Sequence, residues 1–364
     1  MITHNLGIIK YQTEDFIVKE KVNFKSLKGP NYSVFLLRKN NCSVFNALMR
    51  SSKILKIPIA SFNFFGEKDK YAQTSQIIFT PKLNFIQDIK TNDFQLIYLF
   101  DLQTIDSSFM LGNKFRITVR KIKDQQTIEE RVKKIQNKEI LIPNYYDIQR
   151  FGKRLINHII GYHLLNSRYF EATYLFLCAF SKNENHKVKK IRRNLKNLFT
   201  GEIFNINEAV KLKLPQYMDV EKIFLKILSK KMNYKKAWKD FPNKFTSLFK
   251  EAYRSFKFNQ FLIEEIKKQT QNYITKRYEF TIEEEFDYFT KDFPKYIELV
   301  YPLEKFEKME INQKKGTRDL FISPIIYNFH FEKDEIFEGY SKMVIEFFLG
   351  RGSFATNVLN FLLG

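Results

Sequence analysis

Strand-like alternation at both ends of the chain, separated by a long stretch of Lys-rich helical periodicity, most limits how these 364 residues can fold. Up to about Gly152, residues 15–20, 33–37, 76–80 and 95–100 read as strands, and 43–55 reads as a helix. That helix starts at an N-cap, Ser43, and sets Val44, Ala47, Leu48 and Leu55 toward a sheet. Residues 114–120 alternate strictly: Phe115, Ile117 and Val119 face one way, and Lys114, Arg116, Thr118 and Arg120 the other. The first set predicts a core face and the second a basic, solvated one. Helical runs follow at 153–166, 169–180, 188–199 and 253–268; strands return at 321–331 and 342–348, and 355–363 closes the chain as a helix. A shift in pattern followed by a shift back predicts an insertion, since domains are commonly inserted where the ends of a surface loop lie close together. The expected division is a discontinuous α+β domain, 1–153 with 312–364, and a helix-rich insertion, 154–311.

Charge narrows the partners. The formal net charge is +21, which attracts polyanions, nucleic acid first and an acidic membrane surface second. The excess comes from 47 Lys against 14 Arg, beside 39 Phe and 19 Tyr, a balance that AT-rich coding sequence also produces. Cys42 and Cys178 lie far apart with no ligand spacing around them, so neither a zinc site nor a disulfide framework is expected, and a reducing cytoplasm fits. The N-terminus lacks a signal-peptide pattern, and no run approaches the ~18 apolar residues of a membrane span. Neither a phosphate-binding P-loop nor a dinucleotide fingerprint is present, so no cofactor is expected. A monomer is the simplest assembly.

Two stretches carry chemistry. The first, GEKDKYAQTSQ at 66–76, sets Asp69 between Lys68 and Lys70 just before a predicted strand. Neighbouring cations favour an ionised carboxylate, which can act as nucleophile or base; a solvated turn has the same composition. The second, IPNYYDIQRFG at 142–152, packs Asn144, Tyr145, Tyr146, Gln149, Arg150 and Phe151 together. Rings stack on unpaired bases, amides read base edges and Arg pairs with phosphate, which suits a flipped-out nucleotide; a cluster packed between two domains would look alike. Basic patches at 187–196 and, around Trp238, at 230–239 could grip phosphate or be solvated helix faces.

Taken in order, these segments resemble the TruD family of tRNA pseudouridine synthases. GIIKYQTEDFIVKE at 7–20 resembles the family's opening strand, and KNNCSVFNAL at 39–48 the stretch before its first helix. GEKDKYAQTSQ resembles its G-x-K-D-[KR]-x-A-x-T-x-Q, LGNKFRITVR at 111–120 its G-N-x-F strand, and PNYYDIQRFG its N-Y-F-G-x-Q-R-F-G. EAYRSFKFNQ at 251–260 is similar to a segment of the insertion domain, and GTRDL at 316–320 and GRGSFATNVL at 350–359 to the closing segments. The resemblance implies the pseudouridine synthase core, a curved, mainly antiparallel sheet flanked by helices, with the insertion closing a basic cleft over RNA. It makes Asp69 the catalytic aspartate and Lys10 a cation beside it, and gives Asn144 and Tyr146 to the target uridine; Lys68, Gln149, Arg150 and Phe151 complete the expected substrate-binding set. The chain departs from the family pattern at Tyr146, Asp147 and Gly350, where Phe, Gly and Pro are common.

The implied reaction is isomerisation of a tRNA uridine to pseudouridine; bacterial members act in the D arm, at uridine 13. A non-catalytic RNA-binding or RNA-folding module of the same fold is the alternative, and a general polyanion or membrane-surface binder would rest on charge alone.

Overall fold

The computed structural model of the protein describes residues 1–24, 28–181, 184–215, 218–269, 274–277, 292–296, 311–313 and 316–364. Most of 270–315, where the far end of the expected insertion falls, lies outside the described residues. The chain divides into two compact units, Met1–Asn144 with Tyr296–Gly364, and Tyr145–Lys295. The first cut lies upstream of the one expected after 153, so the NYYDIQRF segment straddles it.

The first unit is built on seven main strands: β1 (Phe16–Val22), β2 (Lys28–Asn40), β3 (Gln73–Pro81), β4 (Phe94–Leu102), β5 (Met110–Ile122), β6 (Ile325–Lys333) and β7 (Ser341–Gly350). Their order is β6-β7-β5-β1-β3-β2-β4, with β1 and β3 parallel and the other neighbours antiparallel. The expected α+β class with a mainly antiparallel sheet is what is found. Helix α1 (Val44–Leu55) starts where Ser43 accepts a hydrogen bond from the Asn46 N–H, satisfying one of the donors a helix start leaves open. It packs Val44, Ala47 and Leu48 with Phe35, Leu37, Ile78 and Leu96. Helix α2 (Gln125–Gln136) and the C-terminal helix, Ala355–Leu363, bring Ile128, Val132, Val358 and Phe361 onto Ile117, Val119 and Ile345.

Strand β5 departs from the simple two-faced expectation. Phe115, Ile117 and Val119 are buried as expected, and Lys114 and Arg116 are exposed, but Thr118 and Arg120 are buried as well. Arg120 lies at the junction of three segments. Its guanidinium pairs with Asp15 at 2.7 Å, Asp334 at 3.3 Å and Glu335 at 3.0 Å. Burial works against its charge, but hydrogen bonds to Asp15 and Glu335 outweigh that and hold the proton more tightly than in free Arg. A polar side chain survives in this core because its donors are met by acids arriving from the N-terminal segment and the turn between β6 and β7.

In the second unit, helices α3 (Asn157–Leu165), α4 (Tyr169–Cys178), α5 (His186–Lys196), α6 (Asp219–Lys231), α7 (Tyr234–Asp240) and α8 (Asn243–Gln269) surround an aromatic core. Helices α3 and α8 cross closely at Gly161, where a Cβ would lie 2.0 Å from the Phe249 carbonyl oxygen. Trp238 is part of this core, with its Nε1–H donating to Thr173 Oγ1 at 2.9 Å; it is not a ring offered to a ligand from a basic patch. Of the 187–196 patch, Arg192 turns inward to Glu221 at 2.8 Å and Glu184 at 3.3 Å, while Lys187, Lys190 and Arg193 stay exposed. Both cysteines are buried and free. No helix among the described residues is long and apolar enough to cross a membrane.

Candidate active site

Two lysines from other parts of the first unit, Lys10 and Lys39, converge on the loop that carries Asp69, and a third, Lys68, lies within it. Lys10 comes from the N-terminal segment, where its backbone takes the left-handed conformation, φ 55°. Gln12 then donates its N–H to Asp15, itself held by Arg120, so the buried junction at β5 fixes the turn that aims Lys10. Its Nζ lies 2.5 Å from Asp69 Oδ2 and 4.1 Å from the centre of the Phe16 ring. The lysine is buried, whereas the Asp69 side chain keeps 44% of its surface. A carboxylate neutralised from behind and open in front can still reach a ligand.

Lys39 is the penultimate residue of β2 and is 4% exposed. Its Nζ donates to the backbone carbonyl of Asp69 at 2.5 Å. Burial lowers its pKa from the ordinary 10.5 to about 8, against the opposing attraction of Asp69. Lys68, expected to touch substrate, is buried with its Nζ 2.9 Å from Glu20 Oε1, and the other oxygen of Glu20 accepts the Ile77 N–H at 2.8 Å. Lys68 thus turns inward while Asp69 beside it stays partly exposed. The loop is further tied by Tyr71, whose hydroxyl donates to the Tyr11 carbonyl at 3.0 Å. Beside Lys39 a cleft of about 720 Å³ opens on the sheet face, its wall including Lys19, Arg38, Gln73, Ser75 and Gln95.

The residues of the second stretch take different places. Asn144, in the first unit, is 1% exposed; its side-chain amide donates to the Asp319 carbonyl at 2.9 Å, and its N–H to that of Leu320 at 2.8 Å. The GTRDL segment thereby anchors it. In the second unit, Tyr146 is half-buried, and its backbone is clasped by Asn259, which accepts from its N–H and donates to its carbonyl, both at 2.9 Å. The Phe258 ring meets it edge-on at 5.6 Å, and the Arg150 guanidinium sits 5.1 Å from its ring centre. Gln149 and Arg150 are exposed, but Phe151 is 1% exposed and packs edge-on against Phe256 and His158. Phe151 is a core residue here rather than a stacking surface. Where the family usually has Gly, Asp147 uses its carbonyl to accept the Arg150 N–H, opening the short turn Ile148–Phe151.

A family model described as tRNA pseudouridine synthase D (TruD) matches residues 3–289. The chain belongs to the TruD family. A protein named "Probable tRNA pseudouridine synthase D" from Nanoarchaeum equitans is 31% identical over 287 residues, covering 72% of this chain and 71% of its own. A second, "Probable tRNA pseudouridine synthase D 1" from Methanococcus maripaludis, is 28% identical over 95% of this chain and 96% of its own. A crystal structure of a TruD protein from Methanosarcina mazei superposes with a TM-score of 0.64 at 22% identity, over 99% of this chain and 94% of that one, which speaks to the fold.

Against that family frame, sequence reasoning missed Lys39 and Glu20. Both stood in segments that carried the TruD resemblance, KNNCSVFNAL and GIIKYQTEDFIVKE. Their positions at the end of β2 and within β1 could have suggested that they face the loop before β3, because β3 pairs with both strands.

Proposed function

We propose that this protein is a tRNA pseudouridine synthase, with Asp69 as its catalytic residue. The observation that carries the reading is an exposed carboxylate in the family's G-x-K-D loop, ion-paired from behind by a buried lysine. The reaction breaks the bond between uracil N1 and the ribose C1′, turns the ring, and joins C5 to the same carbon; the C5 proton is lost and N1 gains one. No net oxidation occurs. Asp69 acts either as a nucleophile, forming and then losing a bond to the sugar or the ring, or as a base that takes a ribose proton and later returns it. Lys10 holds the carboxylate oriented in both cases.

The TruD resemblance gives Tyr146 a role in stacking on the uridine and Asn144 one in holding it; in the first unit Asn144 is itself anchored on the Asp319 carbonyl. Arg150 lies over the Tyr146 ring, which supports a tyrosine held in one orientation. Gln149 and Arg150 are open to RNA, and exposed lysines such as Lys187 and Lys190 provide phosphate contacts that position without reading sequence. The target uridine is proposed to be position 13, in the D arm. Treating tRNA that lacks pseudouridine with the purified protein, then mapping carbodiimide-reactive pseudouridine by primer extension, tests the assignment. A stop at position 13 supports it; a stop elsewhere relocates the target, and no stop in any tRNA refutes the activity.

A further inference from the structure

Among the described residues, Lys39 is a cation with no carboxylate at bonding distance; its ammonium contacts a peptide oxygen. Lys10 is taken by Asp69 and Lys68 by Glu20, leaving the Lys39 ammonium on the Asp69 carbonyl. The charged and titratable groups around it are Asp69, Glu67 and Lys68 of the loop, and Cys42 just beyond its own strand. The cleft wall it shares adds Arg38 of β2, Lys19 and Glu20 of β1, and Asp93 ahead of β4. Like charges roughly balance unlike ones there, and burial decides the outcome.

We propose that Lys39 is a positioning residue, whose ammonium clamps the Asp69 backbone and so fixes where the carboxylate is presented, a clamp that weakens when the amine loses its proton. The inference rests on Asp69 being catalytic. A charge-assisted hydrogen bond is about twice as strong as a neutral one, and a misplacement of ~1 Å in a reacting group can cost on the order of 10²-fold in rate. With its pKa lowered to about 8, the clamp should weaken just above neutral pH. Stability should move the other way. The folded value lies below the unfolded 10.5, so between the two the unfolded chain binds more protons, and this group's contribution to stability rises with pH. Loss of activity without loss of fold is the signature.

The test compares wild type, Lys39→Arg and Lys39→Met by C5-tritium release from tRNA between about pH 6.5 and about pH 9.5, with tRNA affinity and thermal midpoint measured at each pH. The expected wild-type kcat falls above about pH 8, approaching tenfold per pH unit, with KM and affinity changed less than about threefold. Lys39→Arg should move that limb upward by more than about one unit, because the guanidinium stays charged. Lys39→Met should lower kcat by roughly 10–100-fold below about pH 8 and flatten the limb, so that the two enzymes converge toward about pH 9.5. A limb that Lys39→Arg leaves in place, or a Lys39→Met enzyme with wild-type kcat below about pH 8, overturns the proposal.

Should either variant fail to fold, an NMR titration of the lysine side chains in the native chain decides. A Lys39 midpoint near 8 that drops in Asp69→Asn, where the opposing carboxylate charge is gone, supports the clamp; a midpoint above about 10, or no movement in Asp69→Asn, refutes it. Absence of tritium release from wild type on every tRNA would remove the isomerase reading itself, and is distinct from a limb indifferent to Lys39.

Discussion

Lys10 reaches Asp69 from a left-handed turn and stacks its ammonium over Phe16, so Lys10→Met removes the charge while keeping most of the packing. It should lower kcat for isomerisation by on the order of 10–100-fold, with the tRNA dissociation constant within about threefold; stopped-flow or steady-state tritium release measures the first and filter binding the second. The Lys10–Asp69 pair was implied by the TruD resemblance, because a motif with fixed spacing surrounds each residue. Lys39 was not, being one of 47 lysines in a lysine-rich chain; what sets it apart is burial, which arises when β2 pairs with β3 and β4. Aromatic residues erred in the opposite sense. Phe151 was read as a substrate-binding ring, yet it is buried, and Trp238, around which a basic patch was read, lies in the core of the helical unit, because a large ring is worth more buried than displayed.

Strand β5 is where local pattern and long-range structure part company. Its alternation correctly predicted a strand and the core side of Phe115, Ile117 and Val119, but not that Arg120 would be buried by Asp15 and Asp334, which are distant in sequence. Removing one partner of a buried charge network strands the others, so Arg120→Met should destabilise the first unit by about 3–5 kcal/mol in urea unfolding, and loosen the turn that aims Lys10. A loss under about 1 kcal/mol would mean that water reaches Asp15 and Asp334. Helix α1 was legible down to its cap, since Ser43 and the spacing of Val44, Ala47 and Leu48 act locally. The order of strands was not, because β1 meets β3 across the whole of β2 and α1 in sequence.

At the scale of the molecule, the formal charge is +21; Arg120 and Arg192 are held in buried networks, while Lys187, Lys190 and Arg193 are exposed. Exposed lysines and arginines release counterions on binding RNA, so tRNA affinity should fall by at least about tenfold between roughly 50 and 200 mM salt, as fluorescence anisotropy would show; a flat profile would argue against a phosphate-gripping surface. The alternation of strand and helix pattern along the chain made two units legible, whereas the cut between Asn144 and Tyr145 depended on contacts that no local pattern encodes. The account turns on one carboxylate. Tritium release from C5-labelled tRNA by wild type and Asp69→Asn, at matched salt with affinity measured in parallel, tests it most directly. The predicted result is release by wild type, a loss of at least about 10⁴-fold in the variant, and affinity within about threefold. Release by Asp69→Asn at a rate near wild type would contradict the account.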